Sequence, residues 1–417
     1  MQLPEDFIRE TKLLMGEERF NSYLEAFQEE APVSIRLNPQ TLGDGSFLFD
    51  NNFAPTSQTK KNRPRVFDKV PWCKEGYYLE GRPQFTFDPL FHAGCYYVQE
   101  AASMFIAHVL RQFVKEPIAM LDLCAAPGGK STAALTVLPE GSTLVSNEPI
   151  PTRAQILLEN ITKWGAKNCI VTNNYPRDFR KVKTKFDIIL CDVPCSGEGM
   201  FRKDPTTISE WSLQNVGKCW RLQREIVADA WECLNPGGIL IYSTCTFNTK
   251  ENEENVRWIM EEYGAEPLPI PTEASWHITG SLLEGFDIPV YRFIPGITKS
   301  EGLFVCVLRK SGEWGMVKGK RNVMQQLKGM SILSPLTANL SPLKVELSYP
   351  EALRYLRGEA LVLPPDTPRG QVTVTYKGFP LGPVKNIGNR ANNLYPKPWR
   401  IKTTHLPTEP VEIICKP

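Results

Sequence analysis

Ile118-Ala-Met-Leu-Asp-Leu-Cys-Ala-Ala-Pro-Gly-Gly-Lys-Ser-Thr-Ala-Ala-Leu-Thr-Val-Leu138 is the stretch whose reading decides the fold. The apolar run ending at Asp122 reads as a buried strand. The small residues Cys124, Ala125, Ala126, Pro127, Gly128 and Gly129, closed by Lys130, read as a tight loop, and the remainder as a helix.

Outward from this unit the alternation continues. Residues 142–147, 168–173, 186–192 and 238–244 are strand-like, and residues 151–165 and 208–234 are helical. Strands joined by crossover helices predict an α/β fold, a doubly wound and mainly parallel Rossmann-like sheet. Residues 98–110 read as a helix leading into the first strand. Residues 290–310 read as two strands around a Gly/Pro turn, an antiparallel hairpin closing one sheet edge.

Before this body, residues 4–30 place Phe7, Leu14, Phe20, Leu24 and Phe27 at helical spacing. A strand-like segment at 32–39, a polar loop at 57–64 and an aromatic-rich extended stretch to Tyr97 follow. Beyond Lys310 signals are sparse until about Glu346. Segments 358–365, 370–382 and 411–417 then read as short strands of a small β-rich domain. The expected domains are 1–90 (α+β), 91–310 (the α/β sheet), 311–345 (linker or small subdomain) and 346–417.

A chain of 417 residues that is 42% hydrophobic and 23% charged can build two or three cored domains and is not disordered. No run approaches the roughly 18 apolar residues of a membrane helix. The opening MQLPEDFIRE lacks the layout of a signal peptide, so a cytoplasmic protein is expected. Eleven cysteines without a C-x-x-C pair, and four scattered histidines, favour neither disulfides nor a metal site. The net charge of +2 hides an asymmetry: residues 311–417 hold 15 Lys+Arg against 7 Asp+Glu, and the rest 33 against 39. A basic carboxy-terminal part suggests a separate module for a polyanion.

The loop at 124–130 lets a ligand approach the backbone and meet helix amides. Twenty residues after Gly128 the next strand ends at Glu148, where a carboxylate can accept hydrogen bonds from ribose hydroxyls. Together they point to an adenosine-containing cofactor. The rival is a phosphate-binding P-loop, but its first glycine would fall at Cys124 and Pro127 removes an amide.

Strand 186–192 ends at Asp192 and runs into Val193-Pro-Cys195-Ser-Gly-Glu-Gly199, and strand 238–244 into Ser243-Thr-Cys245-Thr246. If these strands are neighbours, both thiols and Asp192 reach one cleft at the carboxyl rim of the sheet. Cytosine C5 is a poor nucleophile until a group adds to C6 and turns the ring into an enamine. A thiolate is the natural adding group, and a sulfonium donor can then methylate C5.

These motifs resemble those of the Sun-type RNA cytosine-5 methyltransferases, most nearly the bacterial ribosomal RNA methyltransferase F group. The segments are Asp122 to Lys130, Asp192 to Gly199 and Ser243 to Thr246. Phe91-x-x-Gly94, Gln99-Glu-Ala-Ala-Ser103, Arg202-Lys-Asp-Pro205 and the tail 376–400 support the likeness. It implies a class I methyltransferase sheet using S-adenosylmethionine, an amino-terminal RNA-binding domain and a PUA-like carboxy-terminal one. It implies that Cys245 adds to C6, that Cys195 assists product release, and that Asp192 contacts the base and borders the cofactor. Residues 124–130 would hold the methionine part and Glu148 the ribose. Many relatives carry an Asp after the third strand to meet adenine. Here Asn174, or Asn173, is the candidate, since an amide also addresses adenine nitrogens.

The expected activity is methylation of cytosine C5 in 16S ribosomal RNA, with ribosomal RNA or the small subunit as partner, no membrane and a monomeric enzyme. A DNA enzyme would use Pro-Cys alone, and here Ser-Thr-Cys-Thr accompanies it. The alternatives are a transfer RNA substrate or a non-catalytic assembly factor.

Overall fold

The computed structural model describes residues 3–43, 66–182, 184–313, 323–334, 340–403, 405–411 and 413–414. The loop expected at 57–64 lies outside them.

The first 30 residues form two helices, Glu5–Met15 and Glu17–Glu25, not one. Gly16 separates them at φ 76°, a left-handed conformation that continues neither helix. Strands β1 (Val33–Leu37), β2 (Val66–Lys69), β3 (Gly76–Leu79) and β4 (Tyr96–Val98) make an antiparallel sheet in the order β2-β3-β1-β4. This pairing delays the helix expected at 98–110. Val98 is committed to Ile35, and the Glu100 carboxylate accepts from the amides of Ala102 and Ser103. The helix therefore spans Phe105–Phe113.

The central sheet contains β5 (Ala119–Asp122), β6 (Thr143–Asn147), β7 (Cys169–Thr172), β8 (Phe186–Asp192) and β9 (Leu234–Thr244), all parallel. Two short strands, β10 (Glu266–Pro267) and β11 (Tyr291–Phe293), both pair antiparallel with β12 (Leu303–Arg309). β12 in turn lies antiparallel to β9, as the hairpin reading anticipates. β13 (Ile332–Leu333) extends the far edge, giving the order β10-β12-β9-β8-β5-β6-β7-β13. β5 and β8 are buried along nearly their whole length, because helices cover both faces of the parallel sheet. The helical region at 208–234 is interrupted at Trp211. A new helix, Leu213–Cys233, starts where the Ser212 hydroxyl accepts from the amide of Asn215.

At the carboxy terminus, β14 (Lys344–Glu346), β15 (Gly370–Tyr376), β16 (Phe379–Asn386) and β17 (Ala391–Asn393) form a sheet beside the helix Tyr349–Leu356. The 370–382 segment gives the β15–β16 hairpin, but 358–365 contributes one isolated bridge, Leu361 to Ala391. Of 411–417, Ile413 and Ile414 are buried side chains and form no strand. This domain is not independent. Leu353, Tyr355 and Val374 share one hydrophobic core with Ile35, Leu37 and Tyr96 of the amino-terminal sheet.

Candidate active site

The order of the central sheet reverses between β5 and β8, and the site lies outside the carboxyl ends of those strands. Asp122 ends β5, fully buried. Its Oδ2 accepts from Ser131 Oγ at 2.6 Å, while its Oδ1 finds no partner among the described residues. Burial above all pushes its carboxyl up to about 7. The loop that follows turns at Gly128, whose φ of 113° suits only glycine, since a Cβ would also sit 3.2 Å from Leu157.

Cys124, Ala125, Ala126, Pro127, Gly129, Lys130 and Asp192 line one cavity of about 170 Å3. Gly128 serves the turn and not the wall. Sequence reading missed Asp122 and the opposite wall, Tyr97, Gln99 and Ser103. For Asp122 the signal was present, as the acid closing the first strand. Gln99 is positioned from the amino-terminal sheet. The buried Arg36 of β1 donates to its Oε1 at 2.8 Å, and Gln99 Nε2 donates to Gly129 O at 3.1 Å.

Glu148 follows β6 as expected, but it does not line this cavity. Its carboxylate accepts from the Ile150 amide at 3.0 Å and faces Arg153 at 3.6 Å. Arg153 in turn donates to Ala126 O, tying Glu148 to the loop. Asn174 lies after β7, where its side chain clasps the backbone of Ser331, donating at 3.1 Å and accepting at 3.0 Å. Asn173 donates to Glu148 O.

β8 and β9 are neighbours, with Asp192 opposite Ser243. Ser243 Oγ donates to Asp192 Oδ1 and Lys130 Nζ to Oδ2, both at 2.8 Å. Burial alone would lower the Lys130 ammonium, but the charge and hydrogen bond of Asp192 raise it above its ordinary value. Beyond the strand ends the two thiols meet, Cys195 Sγ standing 3.1 Å from Cys245 Sγ. The hydrogen bond with Cys245, then burial, then the charges of Cys245 and Glu251 push the Cys195 thiol well above its ordinary value. Cys195 therefore holds its proton, and the proton can be shared towards Cys245.

Buried carboxylates brace both thiol loops. Glu198 accepts from Trp211 Nε1 at 2.9 Å and from the amides of Phe247 and Asn248, so the Cys195 loop grips the Cys245 loop. Glu251 accepts from the Ser196 amide and from Gln223, which also donates to Pro194 O. Burial pushes Glu251 up to about 6. Gly199 passes so close to Cys245 that a Cβ would lie 2.6 Å from its carbonyl oxygen. Phe201 and Trp211 are core residues, packed on Phe7. Cys73, Cys95, Cys169, Cys191, Cys233 and Cys306 are buried free thiols.

A doubly wound sheet with a glycine loop after its first strand and paired thiols on adjacent strand ends defines a Rossmann-type methyltransferase. Three family descriptions match in succession. They are the N-terminal domain of 16S rRNA methyltransferase RsmF over residues 3–101, 16S rRNA methyltransferase RsmB/F over 109–309, and the methyltransferase RsmF PUA domain over 342–401. The three together span most of the chain, which belongs to the RsmB/F family of 16S rRNA methyltransferases. Ribosomal RNA small subunit methyltransferase F of Pectobacterium atrosepticum is 32% identical over 321 residues, covering 74% of this chain. That match spans 63% of the relative, just under two thirds of its length. The protein of the same name from an Enterobacter species is 28% identical over 94% of this chain and 95% of its own. A solved methyltransferase homolog from Pyrococcus horikoshii is 26% identical with a TM-score of 0.57, covering 74% of this chain and all of its own.

Proposed function

We propose that this protein transfers a methyl group from S-adenosylmethionine to C5 of a cytosine in 16S ribosomal RNA through a covalent adduct between Cys245 and C6. The observation that carries the reading is the 3.1 Å contact between Cys195 and Cys245 beside Asp192. The residues fit the cofactor: the unpartnered Asp122 Oδ1 offers an acceptor to its ammonium group in a cavity walled by small residues. Residues 124–130 would hold its methionine part. Glu148 would serve its ribose, and Asn174 would serve its adenine on giving up its two hydrogen bonds to Ser331. S-adenosylmethionine supplies an electrophilic methyl group.

The chain's own residues do the rest. Cys245 adds to C6 as a thiolate, with Cys195, which keeps its proton, 3.1 Å away. Asp192, fixed by Lys130 and Ser243, addresses the base and stabilises the enamine. Once Cys245 is bonded to C6, Cys195 is the free thiol left beside the ring, 3.1 Å from the Cys245 sulfur. Cys195, after releasing its own proton to solvent, takes the C5 proton as a thiolate, so that the ring electrons expel the Cys245 thiolate and restore aromaticity. The target must leave its stack to expose C6. The basic carboxy-terminal domain would hold the RNA, free or in the small subunit, and the enzyme would act as a cytoplasmic monomer.

Mapping 5-methylcytosine in 16S ribosomal RNA from cells with and without the gene tests this reading. A single cytosine that loses its mark and regains it with the intact gene, but not with Cys245→Ala, supports it. An unchanged map overturns it.

A further inference from the structure

Beside the cofactor cavity lies a second, larger one of about 510 Å3, within the range of about 300–1,000 Å3 usual for ligand clefts. The two share Val98, Gln99 and Glu100 as a common wall. One side of the larger cavity comes from the amino-terminal domain, the other from the segment after the Cys195 loop. We propose that it receives the nucleotide adjoining the target cytidine, with Arg82 and Lys203 gripping its phosphodiester from opposite sides.

Four features support this, and the proposal rests on the function given above. First, Asp192, which addresses the base, lines the cavity on the far side of the shared wall, so an adjoining nucleotide enters next to that wall. Second, Arg82 and Lys203 are exposed and form no ion pair with a carboxylate among the described residues. Third, the other charged walls are already spent: Arg202 is locked to Glu301 at 2.5 Å, and Glu100 accepts from three backbone amides. Glu30, exposed at the rim, is the remaining charged side chain of the lining; Arg82 lies 5.8 Å over the Phe85 ring, and Lys203 feels the charge of Glu301. Fourth, Ala31, Pro32, Val33 and Val98 give an apolar side for a ribose or base face. The walls are preformed, because Ser34 Oγ donates to Gln99 O at 2.5 Å across the sheet. A cleft that takes part of the strand in this way selects RNA by its backbone and leaves sequence reading to the flipped base.

The test compares wild type with Arg82→Ala, Lys203→Ala and the double variant, using a 16S ribosomal RNA transcript and tritiated S-adenosylmethionine. Each cation removed should lower the slope of log affinity against log salt by about 0.7, the single-strand value. KM for RNA should rise while kcat and the thermal shift given by S-adenosylmethionine stay at the wild-type level. Unchanged slope and KM in the double variant overturn the inference while leaving the proposed function standing. A wild-type protein that methylates no transcript and binds no methyl donor overturns the function itself.

Discussion

Cys195 Sγ lies 3.1 Å from Cys245 Sγ, and the Cys245 amide also donates to Cys195 Sγ at 3.4 Å. The hydrogen bond with Cys245, then burial, then the charges of Cys245 and Glu251 hold the Cys195 thiol well above its ordinary value, so Cys195 keeps its proton. In the proposed cycle one of the pair is the nucleophile and the other its later base. The division of labour follows from the environment, since the two side chains are chemically identical.

Cys245→Ala should abolish methyl transfer, because C5 is unreactive without addition at C6. Cys195→Ala should allow addition and methylation but stall elimination. A protein–RNA adduct should then accumulate as a shifted band on a denaturing gel that disappears after ribonuclease treatment. Both variants should stay folded, since replacing one half-buried rim side chain costs about 0.5–3 kcal/mol. An adduct trapped by Cys245→Ala and lost in Cys195→Ala would reverse the roles.

Asp122 governs a second prediction. Burial raises its carboxyl to about 7, so the folded state binds a proton that the unfolded chain releases near pH 4. Its contribution to stability is full below that lower pH and is lost as pH rises through about 7. Binding a cationic ligand reverses the preference, because the ionised form is the one that attracts it. Affinity for S-adenosylmethionine should therefore climb between pH 6 and 8. Asp122→Asn should weaken binding and flatten the climb, as measured by calorimetry at several pH values. A climb of the same height in Asp122→Asn would remove Asp122 from the site.

Most of the catalytic sheet was legible because buried parallel strands read as continuous apolar runs, as in Phe-Asp-Ile-Ile-Leu-Cys-Asp192. The thiols were legible because each directly follows such a run. What the sequence hid is long-range. No local pattern announces that Val98 pairs with Ile35 and so postpones a helix, or that Arg36 reaches Gln99. Asn174 carried the right chemistry for adenine, but its amide is occupied by Ser331, which lies 157 residues away in sequence.

Glu198 offers a third prediction, separable from the thiols because it touches neither sulfur. Glu198→Ala would leave the Trp211 indole N–H and the amides of Phe247 and Asn248 without their buried acceptor. An unsatisfied buried donor costs about 1–3 kcal/mol, so a clear drop in the unfolding midpoint is expected. Glu198→Gln keeps one carbonyl acceptor and should recover part of it. Methyl transfer should fall further than stability alone explains, because the Cys245 loop loses its register to Cys195. Activity that tracks only the folded fraction would reduce Glu198 to scaffolding.

The carboxy-terminal domain gives the last prediction. Its basic charge suggests a detachable RNA module, but Leu353, Tyr355 and Val374 close the core that Ile35, Leu37 and Tyr96 begin. Deleting it would bare that apolar face, and the product should aggregate instead of surviving as a cofactor-binding core. A point change tests the coupling more gently. Leu353 is 1% exposed, and Leu353→Ala should cost about 2–5 kcal/mol through lost burial and the cavity left behind. If the domains share one cooperative core, the whole amino-terminal region melts earlier with it. Hydrogen exchange should then show faster opening of β1 and β4, although neither strand contains the substitution. Exchange accelerated only within residues 342–401 would show that the shared core does not transmit, and that the carboxy-terminal domain unfolds on its own.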